Sequence, residues 1–126
     1  MLKVFLFCEA SNKSGLGHLI RSIALMNEFL EENFCVEMWL DSSIDSSRYL
    51  KKIERNVFDL NKFKYEFICD RSICIFDILN WDYGFDNLEK ILSSCFSFSI
   101  SPVSNINNKV NWVLSRGKIE NNQLKN

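Results

Sequence analysis

Residues 14 to 22, SGLGHLIRS, bring together two of the chain's four glycines, its only histidine and an arginine. Glycine tolerates backbone angles closed to other residues and lets a ligand come close to the main chain. His18 stands where a helix must start, and the positive end of a helix favours a neutral imidazole. Such an imidazole can serve as a general base toward water or a hydroxyl. The helix start also offers unpaired N–H groups that suit phosphate or a developing negative charge. Arg21, one turn on, can clamp a carboxylate or phosphate. Each residue also has a plainer role: Gly15 and Gly17 as turn formers, His18 as a structural histidine and Arg21 as surface charge.

Asp77 closes the apolar run ICIF. A carboxylate in such a run needs partners, so it is a candidate for the wall of a site, or else a cap for the next turn. Asp82 is expected to cap a helix near Phe85, with Asp86 following it. Asp41, at the end of an earlier apolar run, reads as a solvated turn residue rather than a ribose ligand. A dinucleotide fingerprint wants a small residue where Ile20 stands, because helix and strand are expected to pack closely there. No Walker lysine follows the loop, and no serine sits in a nucleophile elbow. One histidine and scattered thiols give no metal-ligand spacing, so neither a metal nor a cofactor is expected.

These side chains need elements to hold them. Leu2 to Cys8 is a nearly continuous apolar run, as in a strand buried on both faces. From His18 the period changes, with Leu19, Ile23, Met26 and Leu30 on one helical face and Arg21, Glu28 and Glu32 opposite. That predicts a helix from His18 to Glu32, ending near Asn33. Cys35 to Leu40 reads as a second strand, which completes a βαβ unit. Further on we expect a short helix over Ser47 to Arg55 with Ser46 or Ser47 as cap, and a short strand in NVFDL. Ile73 to Leu79 reads as a strand, Phe85 to Ser93 as a helix, and CFSFSI and VNWVL as the last strands. The alternation predicts an α/β, Rossmann-like three-layer sandwich with a mostly parallel sheet over residues 1–118, followed by a flexible tail at 119–126.

Composition narrows the function. The chain has 126 residues and a formal charge of −1, which argues against a nucleic-acid partner. No apolar run reaches the roughly 18 to 20 residues of a membrane span. The opening MLKVFLFCEASNK lacks a cleavage pattern and reads as a strand, not a signal peptide. Five cysteines, an odd number, lie mostly in apolar runs with no C-x-x-C. Buried free thiols in a reducing cytoplasm fit them better than a disulfide framework.

GLGHLIRSIAL, after a strand and a polar loop, resembles the G-x-G-H-x-x-R-x-x-x-L signature of one family. It comprises the UDP-sugar hydrolases of pseudaminic acid biosynthesis and related spore-coat polysaccharide proteins, which have the two-domain GT-B fold of MurG-type glycosyltransferases. ICIFDILNWDYGFDNLEKIL is similar to that family's later segment, a strand ending in Asp and followed by a helix. The resemblance implies a cytoplasmic domain equivalent to the amino-terminal half of a GT-B protein, acting on a UDP-linked amino or deoxy sugar in surface-glycan or nonulosonic acid biosynthesis. His18 would be the general base that activates water. Gly15 and Gly17 would shape the loop around the diphosphate, Arg21 would support it, and Asp77 would line the cleft. A second nucleotide-binding domain or subunit would complete the cleft. Where the family typically carries acids after the CFSFSI strand, this chain has SPVSN. A non-catalytic sugar- or protein-binding remnant, and half of a two-subunit glycosyltransferase, use the same loop and stay open.

Overall fold

The computed structural model describes residues 2–11, 16–68, 71–101, 104–115 and 118–121. Gly15 and Cys69 lie outside them.

Strand β1 (Lys3–Ala10) is the centre of the molecule. Val4, Leu6, Cys8 and Ala10 are buried in one apolar cluster, and Phe5 and Phe7 in another. An apolar side chain at nearly every position is what a strand with cover on both faces requires. Helix α1 (Gly17–Glu31) buries Leu19, Ser22 and Met26, spaced at the helical period. Ile23 and Leu30 pack more loosely beside them. The helix ends on Asn33, at φ 64°. Asn33 N–H donates to Leu30 O and Phe34 N–H to Phe29 O, both at 3.0 Å, and the Phe29 and Phe34 rings meet edge to face at 5.4 Å. This is the paired bonding and apolar contact of a Schellman stop, with asparagine in the left-handed position usually held by glycine.

Six strands run parallel: β1, β2 (Cys35–Ser42), β3 (Val57–Asp59), β4 (Ser72–Asp77), β5 (Phe96–Ser99) and β6 (Trp112–Ser115). The sheet order is β3-β2-β1-β4-β5-β6-β7, and β7 (Lys118–Asn121) pairs antiparallel with β6. The fold is therefore α/β and Rossmann-like, as the alternation of elements predicts. Residues 119 to 121, expected in a tail, belong to β7, which pairs with the edge that β6 would otherwise leave open. Residues 122–126 lie outside the described residues.

Strand order reverses at β1, and the chain changes face there. Connections running toward β3 cover one face with α1 and with Ile53; those running the other way cover the opposite face with Leu60, Phe63, Leu88, Ile91, Ile106 and Val110. Right-handed crossovers require this division. Over Ile73, Ile75, Phe98, Ile100 and Leu114 the α1 face carries no further helix among the described residues, and an apolar cleft of about 240 Å³ lies there beside Leu25 and Phe29.

Between the strands, the sequence reading needs three adjustments. The helix expected over Ser47 to Arg55 is the single turn α2 (Ser47–Leu50), followed by a 3-10 turn at Glu54–Asn56. Its start is held by the side chain of Asp45, which accepts from Ser47 N and Ser47 Oγ at 3.2 and 2.9 Å, whereas Ser46 makes no capping bond. Helix α3 (Phe85–Ser94) starts from Gly84 at φ 93°, not from a cap at Asp82. Among the described cysteines all are free thiols; Cys8 and Cys74 are buried, but Cys35 is exposed. No helix among the described residues is long and apolar enough to cross a membrane.

Candidate functional site

In a sheet whose order reverses, the two strands at the reversal send their connections to opposite faces and leave a crevice at their carboxyl ends. Here those strands are β1 and β4. Asp77, the last residue of β4, lies beside Cys8 in register and points to the α1 face. It is 1 % exposed. The first turns of α1 pass directly over it, so residues spaced one turn apart on that helix converge on one carboxylate.

Arg21 grips Asp77 through both oxygens, with Nε 3.0 Å from Oδ2 and Nη2 2.5 Å from Oδ1. Ser22 Oγ donates to Oδ2 at 3.2 Å. His18 brings Nδ1 to 3.3 Å from Oδ1, off the line that a hydrogen bond needs. The Asp77 bond raises the Arg21 guanidinium above its ordinary value, against the opposing effect of partial burial. Cys8, below this group, has its thiol pushed up to about 12, chiefly by burial, with Ser22 lowering it and Asp77 raising it. The thiol is thus neutral and unreactive at physiological pH.

Of the residues singled out in the sequence, His18, Arg21 and Asp77 meet at this one point. Arg21 does clamp a carboxylate, but that carboxylate is the protein's own. Gly17 is the first residue of α1 with no unusual backbone angle, and a β-carbon there would meet nothing within 4 Å. Its lack of a side chain leaves open space at the helix start and serves no turn. Ile20 is 52 % exposed and does not touch the sheet, so the steric objection to a dinucleotide at that position does not hold. Leu19 is the residue that packs inward.

No protein-family model, curated protein or solved structure matches this chain.

A second polar group lies across the sheet edge from Asp77. Glu9 and Asp41 are in register at the ends of β1 and β2. Glu9 Oε1 accepts from Leu79 N at 2.5 Å, which draws the segment after β4 onto β1. Asp41 accepts from Tyr83 Oη and, at 3.3 Å, from Asn61 Nδ2, so it is not the free turn residue expected. Burial and then the Asp41 bond push the Tyr83 hydroxyl well above its ordinary value. Sequence reasoning missed Glu9 and Tyr83 as members of this edge. A signal was available: three apolar runs each end on an acid, at Glu9, Asp41 and Asp77. Among the described residues no cluster suits a metal ion.

Proposed function

We propose that this chain is a nucleotide-sugar hydrolase-like domain, with His18 as the base that activates water against a UDP-linked amino or deoxy sugar. The observation that carries the reading is the approach of His18 Nδ1 to the buried Asp77 carboxylate at the start of α1, in the crevice between β1 and β4. A carboxylate close to one ring nitrogen favours a proton there and leaves the other nitrogen to take one. The first-turn N–H groups of α1, with open space at Gly17, suit a diphosphate. The motif GLGHLIRSIAL, through its likeness to the UDP-sugar hydrolases, supplies the substrate class. Such chemistry belongs in the cytoplasm, where nucleotide sugars are made, and needs a second nucleotide-binding domain or subunit to fix the substrate and exclude water.

The test is UDP release from UDP-linked amino sugars, by the chain alone and with the partner that co-purifies with it. His18→Ala should abolish release and leave the fold intact; retained turnover would sink the assignment. Transfer to an acceptor without hydrolysis would make the chain half of a glycosyltransferase. A binding-only remnant is favoured by one observation: Ser101 and Ser104, where the family typically carries acids, are buried. Saturable binding with no release in any combination would establish that reading.

A further inference from the structure

A carboxylate placed beside an imidazole serves two opposed ends. It orients the ring, but it also favours the charged form, by roughly one to three pH units when the pair is close. An imidazolium cannot act as a base. A counter-charge on Asp77 offsets this preference, and Arg21 is placed to supply it. Its fork meets both carboxylate oxygens at 3.0 and 2.5 Å and shares Oδ1 with His18 Nδ1. Ser22 Oγ, at 3.2 Å, occupies Oδ2 but adds no charge.

Among the described residues, the surrounding groups leave this task to Arg21. From β1, the Cys8 thiol stays protonated, and Glu9 is bonded to the Leu79 N–H. From β4, Asp77 is the acid within ion-pair distance of the ring among the described residues. From α1 come Arg21 and the positive end of the helix itself. The Nδ1 atom is closed off from solvent, so the 14 % of the side chain that remains exposed lies elsewhere on it.

We propose that Arg21 is a positioning residue that balances the charge of Asp77, so that His18 stays neutral with its Nδ1–H edge turned to the carboxylate. This rests on the reading of His18 as a base, and it takes Arg21 off the diphosphate, where the likeness to the hydrolases would put it. Two of the five guanidinium N–H donors are committed to the buried carboxylate, which fixes the fork on Asp77 instead of leaving it free to follow a phosphate.

The chain's one histidine makes the test direct. In ¹⁵N-labelled protein, the imidazole nitrogen shifts should report the Nδ1–H tautomer at pH 8; the opposite tautomer overturns the proposal and needs no variant. In Arg21→Gln the titration midpoint of the ring should rise by about one pH unit or more. Arg21→Lys, which keeps the charge with poorer geometry, should move it less. In Arg21→Gln/Asp77→Asn the rise should disappear. An unchanged midpoint in Arg21→Gln overturns the proposal. These readouts need no turnover, so they can fail or succeed independently of UDP release. Where release is measured, Arg21→Gln should shift the pH profile of kcat upward with KM unchanged. A raised KM on an unshifted profile would instead make Arg21 a phosphate ligand.

Discussion

Cys8 and Asp77 stand side by side in register on β1 and β4, and Ser22 Oγ donates to Asp77 Oδ2 at 3.2 Å. A buried thiol and a buried carboxylate thus lie next to each other beneath the start of α1. The thiol remains neutral because the burial that would penalise a thiolate is reinforced by the carboxylate.

That arrangement makes stability fall at alkaline pH. The Cys8 thiol holds its proton to about 12 in the folded chain, against an ordinary value of 9.0. The unfolded chain therefore loses this proton first. Stability from this group is complete below pH 9 and is lost as pH rises toward 12, at ~1.4 kcal/mol per unit. Tyr83, also raised, acts in the same sense. Urea melts of wild type and Cys8→Ala across this range separate the two, and the variant should lose stability less steeply. Parallel slopes would show that the thiol ionises freely in the fold.

Removing either partner of the Arg21–Asp77 pair should cost different amounts. Arg21→Ala leaves a carboxylate that is 1 % exposed without its counter-charge, which costs about 3–5 kcal/mol. Asp77→Asn leaves a guanidinium whose side chain is 44 % exposed and can turn to water, so the loss should be closer to 1–3 kcal/mol. Denaturant melts at pH 8 check the order. Equal losses would mean that the buried carboxylate finds another partner.

Gly17→Ala should leave stability unchanged or raise it by up to ~1 kcal/mol, since the position is helical and open. The same change should weaken binding of UDP or a UDP-sugar, because a methyl group then fills the approach to the first-turn N–H groups. Thermal melts and ligand titration read the two effects separately. A destabilised variant with intact binding would return the glycine to a structural role.

Trp81 should be a principal anchor of the segment after β4. Its ring meets Phe7, Phe76 and Tyr83 edge-on, and Nε1 donates to Gly84 O at 2.9 Å. Trp81→Ala should cost about 3–5 kcal/mol and release the turn that starts α3. Denaturant melts measure the loss, and amide exchange at Leu88 and Ile91 should rise with it.

The strands were legible because their environment is severe. A strand covered on both faces must be apolar throughout, and VFLFC and ICIF can be little else. Helix α1 was legible from its stripe, and its stop near Asn33 from the break in that stripe. Segments with weaker demands were not. Residues 118–121 form a strand at the edge of the sheet, and KIEN carries no strand pattern. Gly17 stayed open between turn former and ligand approach for a related reason: a glycine's presence does not say whether it supplies an unusual angle or empty space. The convergence of His18, Arg21 and Ser22 on Asp77 lies beyond any local pattern, since it depends on which strand adds next to β1.

That dependence also sets an order of events for the growing chain. The most apolar strand precedes the other described strands in the chain, yet its second flank is β4, which ends at Asp77. At roughly 5–20 residues per second, VFLFC stays half-covered for about 4–14 seconds after synthesis. Pairing across such a separation is slow even in a finished chain. The central position that makes β1 the floor of the site therefore leaves it waiting for its second flank during synthesis.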